Sequence, residues 1–397
     1  MAVLLGVYLA KLGLGLVQIG LFFSAGLAGS TLFTFLVSLI TVRLGYRRLL
    51  IGFALMTAMT GLALILTDNV VVLTLFAALG SLSGEGRGRA GPTQALEQAG
   101  LAGAAPDERR TELYAWYRIV SYAAAAVGAL AAAFPALLRD AWGVAEATGY
   151  RTMFAGFVGC LFLAALLYSR LSPKMEDHLP RGGWSNPLRL PSRRIIFTLT
   201  ALFSLDAFAG SLVVESLVAY WFNTRFGLEL SALGLVFFAS QVLAAISLWL
   251  ATHLARRIGL LNTMVFTHIP SSLFLIAAAF APVGWMAVLF WQLRSFLGQM
   301  DVPTRDSYTM AVVGPEERVA MASIHLVGRS VTGMTGPSVA TALWQALAAS
   351  VPFVACGVLK IIYDLSLYFL FRRVKPPEEV AREQQRASGR GKGRAVG

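Results

Sequence analysis

Eleven stretches of about twenty mostly apolar residues follow one another along the chain, and their length constrains the fold more than any other feature. They are read at 17–41, 49–66, 70–98, 112–136, 150–169, 195–222, 231–254, 262–281, 284–312, 319–349 and 351–371. Helices of that length reach across the hydrocarbon core of a bilayer, where only helices and closed barrels satisfy their own backbone polar groups. The expected fold is therefore an all-α polytopic membrane protein. The composition agrees, with 57% hydrophobic and 14% charged residues and a mean hydropathy of +0.67. Ahead of these spans "MAVLLGVYLA", residues 1–10, is apolar but too short to cross.

Orientation follows from the loops. If the loop after the first full span is cytoplasmic, one side gathers 22 Lys and Arg residues, among them Arg43, Arg47, Arg48, Arg109, Arg110, Arg256, Arg257 and eight between Arg372 and Arg394. The other side holds Lys11, Arg139, Arg151 and Arg225. That bias puts the C-terminus in the cytoplasm of a multi-pass protein of the cell (inner) membrane. The net charge of +12 is then explained by anionic lipid head groups rather than by nucleic acid. Cys160 and Cys356 fall inside spans and show no metal-ligand spacing, so neither a metal nor a cofactor is expected. No cleavable signal is visible, and the Gly, Arg and Gln content beyond about residue 385 suggests disorder.

The chain repeats. Residues 12–25, "LGLGLVQIGLFFSA", lie over 226–239, "FGLELSALGLVFFA", with Gly13 on Gly227, Gly20 on Gly234 and Phe23 on Phe237. At the same offset Arg43 meets Arg257 and Gly45 meets Gly259; after a small slip Pro92-Thr93 meets Pro303-Thr304 and Arg118 meets Arg329. Parallel repeats of six spans are a standard plan of secondary transporters.

On this evidence the chain resembles the major facilitator superfamily. The resemblance covers the span count, a polar linker at 170–194 and a basic loop between the second and third helices of each half. The family's loop signature, G-x-L-x-D-R-x-G-R-R, is approached by "SLITVRLGYRR", with Arg43, Gly45, Arg47 and Arg48 retained, Ser38 in the glycine position and Val42 in the aspartate position. The second copy, "THLARRIGLLN", keeps Arg257 and Gly259. The resemblance implies two pseudo-symmetric six-helix bundles. The chain then divides into an N-terminal bundle over 1–169 with a truncated first helix, the cytoplasmic linker 170–194, a C-terminal bundle over 195–372, and a basic tail over 373–397. It implies twelve helices, so residues 1–10 count as the first, and the native reading frame is expected to begin upstream of Met1. It also implies that helices 3, 6, 9 and 12 stand outside while the other eight line a central path. Val42 removes the acidic member of the family's cytoplasmic lock.

Charges inside the membrane are functional candidates, because each costs several kcal/mol unless paired or wet. Helix 4 carries Glu85, Arg87 and Arg89, with Gln94 on the face of Arg87; helix 5 carries Arg118; helix 7, Asp206 and Glu215; helix 10, Arg294, Asp301 and Arg305; helix 11, Arg329. Glu85 with Arg89, and Asp301 with Arg305, are four apart and can pair. Glu85, Arg89, Arg118, Asp301, Arg305 and Arg329 are expected to act as gate or ion-pair residues, with Arg118 and Arg329 as equivalent gate positions. Asp206, Arg87, Arg294, Gln94 and Glu215 are the candidates for substrate or coupling contacts. Asp206 stands out: near mid-span with no local partner, it gains by taking up a proton unless an arginine such as Arg294 or Arg87 reaches it. Lys360 and Asp364 on helix 12 read as a self-contained i, i+4 pair. His253 and His325 are possible proton carriers, His253 lying near a helix end.

The function that these readings favour is a secondary active permease, working by alternating access as a monomer on a small-molecule substrate, with protons as a candidate coupling ion. The alternative is a non-transporting protein of the same fold, such as a sensor or a lipid-handling protein. No G-x-x-x-x-G-K-[ST] loop marks an ATP-driven pump, and no Ser/His/Asp constellation marks an enzyme. The family's drug-antiporter signature is missing from helix 5, which reads "YAAAAVGALAAAFP".

Overall fold

The computed structural model describes residues 1–82, 91–104, 107–171, 190–314 and 317–374. Glu85, Arg87 and Arg89, most of the linker and nearly all of the tail lie outside them. The N-terminal half comprises α1 (Ala2–Lys11), α2 (Leu16–Leu44), α3 (Tyr46–Leu66), α4 (Val70–Leu79), α5 (Pro92–Ala104), α6 (Asp107–Leu130), α7 (Phe134–Trp142) after a 3₁₀ turn, and α8 (Glu146–Ser169). The C-terminal half comprises α9 (Arg193–Ser211), α10 (Glu215–Phe226), α11 (Leu230–Ile258), α12 (Leu260–Phe280), α13 (Gly284–Leu297), α14 (Asp301–Ala311), α15 (Arg318–Gly333), α16 (Gly336–Ala346) and α17 (Val351–Phe371). No strand occurs among the described residues. Among the described residues, eight helical stretches are long and apolar enough to cross a membrane. In the C-terminal half three expected spans are interrupted: α9 gives way to α10 at Leu212–Val214, α13 to α14 at Gly298–Met300, and α15 to α16 at Met334–Thr335.

The repeat seen in the sequence survives as geometry. α2 and α11 are both 29 residues long, and α3 and α12, which follow them, are both 21. Between the members of each pair a single glycine turns the chain, Gly45 at φ +79° and Gly259 at φ +94°. A side chain is disfavoured in that conformation, which explains why these two signature glycines match when the acidic position does not. Arg47, Arg48 and Arg257 are exposed beside them.

The halves meet mainly at the end away from these basic loops. Ser24 and Ser338 hydroxyls bond at 2.7 Å between α2 and α16, and the Ser216 hydroxyl of α10 donates to the Ala2 carbonyl of α1. Gly20 lets α2 come close to α16: a Cβ there would sit 2.8 Å from the Pro337 carbonyl oxygen and would collide with Thr341. One apolar cluster seals this end across both halves, with Leu4, Phe22, Phe23, Trp221, Phe222 and Phe237 fully buried. At the opposite end each half keeps its own cluster, around Leu50 and Phe53 in one and Phe203 and Tyr363 in the other.

Candidate functional site

Seven ionisable side chains converge inside the C-terminal half. Asp206 on α9 is the hub. Its Oδ1 lies 2.5 Å from Lys360 Nζ of α17, and its Oδ2 lies 3.3 Å from Arg305 of α14 and 3.7 Å from Arg329 of α15. Asp301, one turn before Arg305, shares that guanidinium at 2.8 Å. His268 of α12 joins the two ends: its Nδ1 is 3.0 Å from Asp364, and its Nε2 is 3.3 Å from Lys360 and 4.0 Å from Asp206. Three carboxylates thus face Arg305, Arg329 and Lys360, with the imidazole between them. Asp206, Asp301, Asp364, Arg305 and His268 each keep less than a tenth of their surface exposed. Burial on this scale costs several kcal/mol per ion unless the charges meet, and here each acid meets a cation or the imidazole.

The cluster forms one wall of a cavity of about 220 Å³. Glu215, at the start of α10, lines it and accepts a 3.5 Å hydrogen bond from Gln241. Ser240 receives the Trp291 indole N–H at 3.1 Å and itself approaches Gln292. Arg294 stacks over Trp291, its guanidinium carbon 4.5 Å from the ring centroid. Tyr122 of α6 reaches in from the N-terminal half.

Several expectations need correction. Asp206 is not alone: the arginines that reach it are Arg305 and Arg329, not Arg294, and Lys360 is nearer than either. Lys360 and Asp364 do not neutralise each other, because each finds a partner on another helix, Asp206 and His268 respectively. Helices 9 and 12, expected outside, here are α12 and α17 and contribute three of the seven groups. Arg118 and Arg329 are not equivalent. Arg118 is half exposed and 4.0 Å from Asp306 at the surface, whereas Arg329 is inside the cluster. The Asp301–Arg305 pair forms as its spacing predicts. Gln94 is partly buried on α5, away from the cavity lining. His253 is exposed near the end of α11, where its ring approaches the Trp249 carbonyl. Sequence reasoning missed His268 entirely; the signal was a histidine two residues before Pro270 inside an otherwise apolar span. Glu97, which stands with Glu85, Arg87 and Arg89 in one charged stretch of the sequence, takes a role that the sequence does not indicate: its carboxylate receives the hydroxyls of Tyr117 at 2.6 Å and of Tyr168, joining α5 to α6 and α8.

An all-helical membrane fold with a charged internal cavity is an architecture on which membrane transporters are built. The chain belongs to the major facilitator superfamily, whose sequence profile matches residues 1–300. It is 24% identical over 389 residues to the uncharacterized membrane protein YJR124C of Saccharomyces cerevisiae, covering 89% of this chain and 86% of that one. In fold it is similar to the nucleoside transporter NupG, with a TM-score of 0.70 at 12% identity and 94% of each chain covered. It is likewise similar to a D-xylose-proton symporter, with a TM-score of 0.69 at 14% identity, covering 94% of this chain and 92% of that one. A bacterial homolog of the human lysosomal transporter Spinster, in an inward-facing and occupied conformation, gives a TM-score of 0.65 at 17% identity, with 94% and 92% covered.

Proposed function

We propose that this chain is a monomeric, proton-coupled secondary transporter of a small solute. Its halves, 1–169 and 195–372, rock against each other to expose the cavity alternately. The observation that carries the reading is the buried cluster around Asp206: five helices each commit a charged or imidazole side chain to one point beside the cavity. A merely structural core would gain more from apolar residues there, whereas rearranging ion pairs give a carrier two states. His268 is the proposed proton carrier, since its two ring nitrogens face different acids and imidazole accepts or yields a proton near neutral pH. The second oxygen of Asp364, buried with no hydrogen-bond partner among the described residues, supplies a second place for that proton. Asp206 then serves as the counter-ion that holds three cations until a solute or proton alters the balance. The excess of Lys and Arg on one side supports a cytoplasmic C-terminus in the cell membrane. With that orientation the halves are joined at the outer end and the cavity faces inward.

The test is counterflow of a labelled solute panel in proteoliposomes holding a pH-sensitive dye. Wild type is expected to exchange one class of solute and to move protons with it. His268→Gln and Asp206→Asn are expected to retain exchange while losing solute-evoked proton movement. Exchange with no proton movement in wild type defeats the coupling assignment. No exchange of any solute supports the sensor or lipid-handling alternative.

A further inference from the structure

The cavity's cations are not all matched. Arg305, Arg329 and Lys360 each have Asp206 within ion-pair distance, and Arg305 has Asp301 as well. Arg294 lines the same cavity and has no carboxylate partner among the described residues; its guanidinium lies over the face of Trp291. An unneutralised guanidinium at membrane depth is costly, and stacking on an indole offsets only part of that cost. Among the described residues, Arg294, Arg305, Arg329 and Lys360 stand against Asp206, Glu215 and Asp301 on the lining and Asp364 behind His268, so the charges balance when His268 is neutral and one positive charge is left over when it is protonated. We infer that the solute is a small polar monocarboxylate, with its carboxylate held by Arg294 beside Trp291.

Two further features support this. The planar fork of a guanidinium matches a carboxylate through two parallel hydrogen bonds, and the Trp291 N–H, already given to Ser240, leaves the ring face to orient that fork. Beside it Ser271 and Ser295, whose hydroxyls donate to the Arg294 and Trp291 carbonyls and keep lone pairs to accept, line the cavity with Gln241 and Gln299 and suit a hydroxylated body. One guanidinium without a carboxylate partner among the described residues, beside cations that are already matched, favours a carboxylate over a phosphate monoester, which carries about −1.5 to −2 at neutral pH. The inference rests on the transporter reading for its physiological meaning, but it concerns binding and is tested without transport.

Purified protein is titrated with lactate and gluconate, with glucose as the neutral partner of gluconate, and with inorganic phosphate, while the thermal unfolding midpoint is followed. The monocarboxylates are expected to raise the midpoint saturably, gluconate more than lactate, with glucose inert. Arg294→Gln should weaken carboxylate binding by about 10-fold or more, and Arg294→Lys by less. The ligand-free Arg294→Gln protein should melt no lower than wild type, because it loses an unmatched charge; marked destabilisation would mean that Arg294 is already neutralised. The inference is overturned if glucose or phosphate protects better than the monocarboxylates, if none of the carboxylates protects, or if Arg294→Gln binds them as wild type does. Carboxylate binding without counterflow would defeat the transporter reading and leave this one standing.

Discussion

Replacing Asp206 by Asn removes one charge from the meeting point of three cations, and the structure fixes who suffers. Arg305 keeps Asp301 at 2.8 Å. Lys360, at 2.5 Å, loses the carboxylate it pairs with, and Arg329, at 3.7 Å, loses its contact with the same group. Lys360 can relieve its position by releasing a proton; Arg329 cannot. Breaking one partner out of a buried ion pair costs about 3–5 kcal/mol, since the other charge is left uncompensated. At about 2–4 °C per kcal/mol for a body of 150–250 residues, the unfolding midpoint should fall by roughly 6–20 °C. Fluorescence-detected unfolding of the detergent-purified protein measures this. Adding Lys360→Met to Asp206→Asn removes one of the stranded cations, so the double variant should recover part of the loss, with a coupling of about 1–3 kcal/mol. If Asp206→Asn melts with the wild type, or if the double variant loses the plain sum of the two single losses, the cluster is not held by these pairs and the argument fails.

Two other outcomes follow from geometry. Gly20→Val puts methyl groups where the Pro337 carbonyl and Thr341 already sit, so the halves should part at that end. Cysteines placed beside Ser24 and Ser338 should become more reactive to a water-soluble thiol reagent, and unchanged reactivity would show that the contact is not a closure. Outside the membrane-spanning helices, burial pushes the Glu317 carboxyl up, but hydrogen bonds from the Ser192 and Gly314 amides outweigh it and hold the group below its ordinary value. A depressed carboxyl contributes stability that is present above its unfolded value and is lost as pH falls through the folded one. Hydrogen exchange at the Ser192 amide should therefore be slower than in Glu317→Ala at neutral pH and should converge on it in acid; equal protection at neutral pH would remove Glu317 as the staple.

The spans, the repeat and the two turning glycines were legible because each is local: apolar length, a fixed offset, a single backbone conformation. Asp301–Arg305 was legible for the same reason. The hub was not. Asp206 meets partners 99, 123 and 154 residues away in sequence, and nothing in a linear pattern selects them. Lys360 and Asp364 show how a local rule misleads: an i, i+4 pair stabilises an isolated helix by only about 0.2–0.5 kcal/mol, and the cross-helix contacts at 2.5 and 3.0 Å outcompete it. His268 was passed over because its helix was expected to stand outside, although the residue is 4% exposed.

The closure of the cluster also bears on how such a chain can change over generations. Lys360, Arg305, Arg329 and His268 all lean on one carboxylate, so Asp206 cannot be altered without disturbing several of its neighbours at once. Drift at these positions must proceed by paired replacements, or through an intermediate that loses several kcal/mol. The glycines at 45 and 259 face no such linkage, since each answers only to its own backbone. Lineages descended from this chain should thus keep the turns one at a time and the charged hub all together or not at all.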